Sequence, residues 1–119
     1  KKIDFFIGDE RYVKEISKNS NIKMCKKYLL NKIGILNSQI YKISTNEQSV
    51  IKSSLVYEKK IKEYFFNKKI CFDLVLLGLG NDGHIASLFK ENINIKTNKN
   101  VIFVKRKDFL LSIRYNFLA

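Results

Sequence analysis

Phe72-Asp73-Leu74-Val75-Leu76-Leu77-Gly78-Leu79-Gly80-Asn81-Asp82-Gly83-His84 carries an apolar run into a glycine-rich turn that ends on the only histidine of the chain. The run Phe72–Leu79 has the length of a strand, and its continuous apolar character predicts a strand covered on both faces, as in a parallel sheet. Open sheets of that kind place their ligands at the carboxyl ends of the strands. Imidazole, with an ordinary pKa of about 6.5, suits proton transfer near neutral pH. His84 is therefore the first candidate for a catalytic role.

The rest of the chain supplies the partners such a strand needs. Ile3-Asp4-Phe5-Phe6-Ile7 reads as a short apolar strand that releases Gly8-Asp9-Glu10-Arg11 at its carboxyl end. Ser20 is placed to cap a helix starting near Asn21, with Ile22, Cys25, Leu29 and Ile33 at helical spacing and Gly34 to end it. Ile40–Ile43 reads as a second strand. Asn46 is placed to cap a longer helix with Ile51, Leu55, Ile61 and Phe65 on one face. After the Gly83-His84 turn a short helix through Ser87, Leu88 and Phe89 is expected, then strands at Val101–Val104 and Leu110–Ile113. Strands alternating with helices imply an α/β fold with a mostly parallel sheet flanked by helices.

Composition narrows the function classes. The chain has 119 residues, 45% hydrophobic, enough for one domain and against wholesale disorder. No apolar run approaches the roughly 20 residues of a membrane helix, and no secretory pattern follows Lys1-Lys2. Cys25 and Cys71 lack metal-ligand spacing and read as reduced core thiols of a cytoplasmic protein, with a disulfide left open. The net charge of +12 raises the question of nucleic acid. However, the cations are mostly scattered lysines without interleaved aromatics, so nucleic acid is disfavoured and an anionic small molecule preferred.

Gly78-Leu79-Gly80-Asn81-Asp82-Gly83 matches a G-x-G-x-x-G pattern, but Asn98–Phe103 offers no acidic residue for a ribose, and the following apolar spacing breaks quickly. A nicotinamide cofactor is rejected. What remains is a turn whose glycines permit unusual backbone angles and close approach of a ligand. Backbone amides near that turn are candidate donors to an oxyanion. Asp82 either orients the imidazole or holds the loop as an Asx turn. Asp9 and Arg11 lie at the end of the other strand, and if the two strands are neighbours, Asp9, Arg11, Asp82 and His84 share one cleft.

Three blocks together carry a resemblance: Gly8-Asp9-Glu10-Arg11-Tyr12-Val13, Ser20-Asn21, and Phe72 through Gly83-His84-Ile85-Ala86-Ser87-Leu88-Phe89. In order and spacing they resemble the 6-phosphogluconolactonases, and Tyr57-Glu58 fits that family's helix pattern. The resemblance implies a fold shared with glucosamine-6-phosphate deaminase and ribose-5-phosphate isomerase, with residues 1–119 an incomplete domain lacking N- and C-terminal parts. It implies cytoplasmic hydrolysis of 6-phospho-D-glucono-1,5-lactone to 6-phosphogluconate, in the pentose phosphate pathway, without metal or cofactor. The roles it implies are His84 as general base with Asp82 beside it, and Asp9, Arg11, Gly80 and Gly83 around the substrate. A fusion to, or association with, glucose-6-phosphate dehydrogenase is a further expectation.

Departures from the family pattern are Lys14 and Lys90 where proline is usual, and Leu110-Leu111-Ser112-Ile113-Arg114 where a leading arginine is usual. Lys105-Arg106-Lys107 is a candidate substitute for the missing charge, a solvated basic run being the simpler account. The alternatives are a glucosamine-6-phosphate deaminase-like enzyme, against which Arg11 and Ser87-Leu88-Phe89 speak, and an inactive basic module that binds polyanions.

Overall fold

The computed structural model describes residues 2–91, 97–106 and 109–113. Two short strands, β1 (Phe5–Phe6) and β3 (Ile40–Tyr41), pair in parallel, with Phe5 opposite Ile40 and Phe6 opposite Tyr41. The polar segment Asp9–Arg11 forms β2, which pairs antiparallel with β5 (Phe109–Ile113), itself antiparallel to β4 (Val101–Lys105). The parallel pairing expected for most of the sheet is realised at β1–β3, while β4 and β5 are joined too closely in sequence for a crossover and form an antiparallel pair.

Local chemistry explains where the helices begin. Ser20 caps α1 (Asn21–Cys25) as expected, its hydroxyl accepting from the Lys23 amide at 3.3 Å. The chain then widens into a π-helical turn, Lys26–Leu30, and leaves the helical region through Gly34 at φ +66°. The long helix α2 runs Val50–Tyr64 and is capped by Ser49, not Asn46, with the Ser49 hydroxyl accepting from the Lys52 amide at 3.1 Å. Its buried face also differs from the expected one. Ile51 and Leu55 are exposed, whereas Val50, Ser53, Ser54, Tyr57, Glu58 and Ile61 are buried. Hydrogen bonding accounts for part of this: the Ser54 hydroxyl returns to the Ile51 carbonyl, and Glu58 accepts from Lys62 and from the Asn100 amide. Tyr57, fully buried, donates its hydroxyl to the Ile7 carbonyl at 2.8 Å and lies 3.1 Å from the Tyr41 carbonyl. It thereby ties α2 to the carboxyl ends of both parallel strands.

The core is built from Ile43, Val50, Tyr57, Ile61 and Val101, flanked by an aromatic group in which Phe6 stacks on Tyr41 and meets Phe72 edge-on. A second cluster, Ile7, Ile22 and Leu30, fastens α1 to the first strand. Cys71 is exposed and Cys25 half-buried, both with free thiols, so the expectation of two core thiols holds for neither in full.

Phe72–Leu79 forms no ladder. Only Leu79 makes an isolated bridge, to Ile85. Exposure alternates as in a strand only from Leu74 to Leu77 (75%, 37%, 84% and 38%) and not at Leu79 (75%), so the segment is not covered on both faces as expected. Phe72 packs on Phe6, and beyond the following turn Ser87 reaches Asp9, so the segment and its turn are fastened to the β1–β2 stretch by side chains. The expected short helix at Ser87–Phe89 is replaced by a tight turn, with Ala86 at φ +52° and the Leu88 amide donating to the Ile85 carbonyl. The left-handed backbone at Ala86 interrupts any run of right-handed helical residues there.

Glu10 sits at the centre of the connection between β2 and α1. It is 2% exposed, and its carboxylate accepts from the amides of Arg11 (2.9 Å), Asn21 (2.6 Å) and Ile22 (2.9 Å) and from the Ser20 hydroxyl (3.1 Å). A buried carboxylate is tolerable only when its lone pairs are so engaged. Glu10→Gln, which turns one acceptor into a donor facing these groups, is expected to lower stability by about 2–3 kcal/mol. Urea unfolding of the two proteins measures it; equal midpoints would deny the carboxylate this role.

Candidate active site

The alternation of side chains along β2 determines what faces the site. With Glu10 turned inward, Asp9 and Arg11 point to the opposite side. The Asn21 side chain donates to the Asp9 carbonyl (2.9 Å) and carboxylate (3.3 Å), and the Ser87 hydroxyl donates to the other carboxylate oxygen at 3.4 Å. Burial pushes the Asp9 carboxyl above its usual range, opposed by the Ser87 bond and by the Arg11 charge. Arg11 is exposed, and its guanidinium donates to the Asn19 carbonyl at 3.0 Å.

The second half of the site is the turn Gly80–His84. The Gly80 amide donates to the His84 carbonyl (2.8 Å) and the Gly83 amide to the Gly80 carbonyl (2.9 Å), so both are engaged within the turn. Gly83 has φ +81°, a conformation that favours glycine. Gly80 is needed for a different reason: a Cβ there would fall inside the His84 ring, meeting Cε1, Nδ1 and Nε2. The two glycines thus contribute shape, their own amides being engaged within the turn.

His84 is held on three sides. Its Nδ1 is hydrogen-bonded to Asp82 Oδ1, its ring lies tilted against Phe89 at 4.6 Å between centroids, and Gly80 lies beneath it. With the proton on Nδ1, donated to the carboxylate, Nε2 is left as the acceptor. That hydrogen bond from His84 is the chief cause holding the Asp82 carboxyl below its usual range. Arg106 approaches the same carboxylate, Nη1 lying 3.6 Å from Asp82 Oδ2, while its guanidinium carbon sits 3.9 Å above the Phe89 ring centre. His84 is also near enough to Asp9 for its charge to favour the ionised Asp9 carboxyl.

The structure therefore brings Asp9, Asp82 and His84 together around Gly80 and Gly83, with Arg11 beside Asp9 on the exposed edge. Sequence reasoning gave no role to Ser87, Phe89 or Glu10, and for Arg106 it offered a substitute charge within Lys105-Arg106-Lys107 with a solvated run as the simpler account. Ser87 and Phe89 stood inside the quoted block, but only the fold shows what they touch. Among the described residues no group of three or more His, Cys, Asp or Glu is arranged to hold a metal ion. An open groove lined by Leu55, Glu58, Lys62 and Asn98 shares no residue with this cluster.

Comparison with known proteins places this geometry. Residues 1–110 match the family model described as glucosamine-6-phosphate isomerases/6-phosphogluconolactonase. The chain is 34% identical over 110 residues to the 6-phosphogluconolactonase of Synechocystis, covering 90% of this chain and 46% of that protein. The 6-phosphogluconolactonase of Thermotoga maritima superposes with a TM-score of 0.81 at 29% identity, over 93% of this chain and 50% of that one. For the Trypanosoma cruzi enzyme the TM-score is 0.78 at 28% identity, again over 93% of this chain and 50% of that one. The chain thus spans about half the length of the relatives it matches. By the match over residues 1–110 and the shared fold, the chain belongs to the glucosamine-6-phosphate isomerase/6-phosphogluconolactonase family.

Proposed function

We propose that the site hydrolyses 6-phospho-D-glucono-1,5-lactone to 6-phosphogluconate. The observation that carries this reading is the Ser87–Asp9 hydrogen bond, which joins two motif blocks 78 residues apart into one site with His84 alongside. In this scheme His84 Nε2 takes a proton from water as the water oxygen attacks the lactone carbonyl. The tetrahedral intermediate collapses with cleavage of the ring ester bond, and the imidazolium returns its proton to the departing sugar oxygen. Asp82 stabilises the imidazolium and maintains the tautomer. Asp9 accepts from a sugar hydroxyl, and Arg11, exposed beside it, meets substrate oxygen or phosphate.

A lactone is an activated ester, so a positioned base and an ordered water meet most of the chemical demand. The same reading places the reaction in the cytoplasm and keeps the expected fusion to or association with glucose-6-phosphate dehydrogenase, whose product is the lactone; co-purification tests that partner. The deaminase alternative is separated by substrate: turnover of the lactone but not of glucosamine 6-phosphate is expected. Salt-dependent binding of nucleic acid without hydrolysis would favour the polyanion-binding alternative.

His84→Ala is expected to lower kcat for lactone hydrolysis by about 10²–10⁴-fold with the circular dichroism spectrum unchanged. Turnover equal to wild type would remove His84 as the base. Gly80→Ala is expected to displace the imidazole and cost about 10²-fold in kcat, and a kcat within twofold of wild type would show that the ring does not need that space. Asp9→Asn is expected to separate stability from activity. Above its raised folded-state value Asp9 is charged in both folded and unfolded chains, and the cost of burying that charge is fully present. As pH falls toward the usual 3.8, the folded chain binds the proton first and the cost is relieved. Asn should therefore stabilise the fold at neutral pH, with a gain that shrinks on acidification, while hydrolysis is lost; unfolding midpoints across pH measure it.

A further inference from the structure

Arg106 follows β4 and is remote in sequence from the His84 turn, yet it touches two of the three groups that hold the imidazole. Its Nη1 lies 3.6 Å from Asp82 Oδ2, the oxygen not used by His84, and its guanidinium covers the Phe89 ring whose face His84 also meets. An arginine held over an aromatic ring and beside a carboxylate has less freedom to swing into solvent. Each partner is partly exposed: the side chains of Arg106, Asp82 and His84 are 43%, 53% and 32% accessible. Without a second contact an aspartate at the tip of a turn would be free to rotate away from the ring.

Resting on the assignment of His84 as base, we propose that Arg106 is a positioning residue that fixes the Asp82 carboxylate and, through it, the Nδ1-protonated tautomer of His84. The charged groups facing the imidazole are Asp82 on its own turn, Arg106 after β4 and Asp9 on β2. Arg106 pins Asp82 Oδ2, leaving Oδ1 directed at Nδ1. Nε2 then stays bare toward the attacking water. The contacts of Arg106 are with Asp82 and Phe89, and it acts through them.

Because His84 is the only histidine in the chain, its ring nitrogens can be read without ambiguity in histidine-labelled protein by long-range proton–nitrogen correlation. In the wild type at a pH where the ring is neutral, Nδ1 should carry the proton. Arg106→Ala is expected to give a mixture of tautomers and to lower kcat for the lactone by roughly 10-fold with KM changed less than twofold. Arg106→Lys, which keeps the charge but not the planar fork, should recover part of both. Combining Arg106→Ala with Asp82→Asn should cost no more than Asp82→Asn alone. An unchanged tautomer in Arg106→Ala, additive losses in the double variant, or a rise confined to KM would each overturn the proposal. The nitrogen spectrum does not depend on turnover. A protein that shows the tautomer change but hydrolyses no lactone would therefore reject the proposed function while leaving the positioning role standing.

Discussion

The burial of one carboxylate organises the site. Glu10 accepts from the Arg11 amide, the first two amides of α1 and the Ser20 hydroxyl, and so welds β2 to the start of that helix. A negative charge at a helix N-terminus meets aligned N–H groups and the positive end of the helix dipole. Strand geometry then does the rest. With Glu10 fixed inward, the residues on either side, Asp9 and Arg11, must face the other way, and Asp9 there meets Ser87 beside the imidazole turn. The Asn21 side chain, from the residue whose amide binds Glu10, closes on Asp9 from the helix side. One inward carboxylate thus determines the orientation of the outward one.

Much of this was legible in the sequence because the signals were local. The Ser20 cap, the Gly34 exit, the strands at Phe5–Phe6, Ile40–Tyr41 and Val101–Lys105, and the Gly83 turn each follow from a few neighbouring residues. The face of α2 was not legible. Apolar spacing pointed to Ile51 and Leu55, but the helix buries Ser53, Ser54 and Glu58 and exposes those two. Glu58 is sheltered by Lys62 and by Asn100 from a distant loop, and Tyr57 by carbonyls of two strands. Such satisfaction depends on tertiary partners that a periodicity does not contain. Likewise the polar Asp9–Arg11 segment has no strand character of its own; it becomes a strand because β5 lies beside it.

The candidate site divides in the same way. His84, Asp82 and the glycines could be named because their chemistry is carried by residue type, and Asp9 because it ends a strand. Ser87, Phe89 and Arg106 acquire meaning only from what the fold places against them: a carboxylate 78 residues away, an imidazole, and an aspartate at the tip of a turn. A lone arginine in Lys105-Arg106-Lys107 looks solvated until its guanidinium is seen over Phe89. Cation–π contact and a long ion pair are individually worth about 1 kcal/mol or less at such exposure. Their effect on the site is geometric: they restrict where a carboxylate points.

The absence of a ladder along Phe72–Leu79 alters where the precision of the imidazole comes from. In a sheet, a strand's hydrogen bonds would fix the residues at its carboxyl end. Here the strand-like rhythm of exposure survives only from Leu74 to Leu77, and the single bridge at Leu79 returns only to Ile85 within the same turn. The position of His84 is therefore set by short-range bonds, Gly80 to His84 and Gly83 to Gly80, and by anchors at either side. Phe72 docks on Phe6 before the segment, and Ser87 on Asp9 after it. These two anchors lie at the last residue of β1 and the first of β2, so side-chain contacts hold the segment and its turn where no ladder does. The His84 turn is thereby tied to the Gly8–Arg11 block by side chains, and the candidate residues of both blocks lie within a few positions of an anchor.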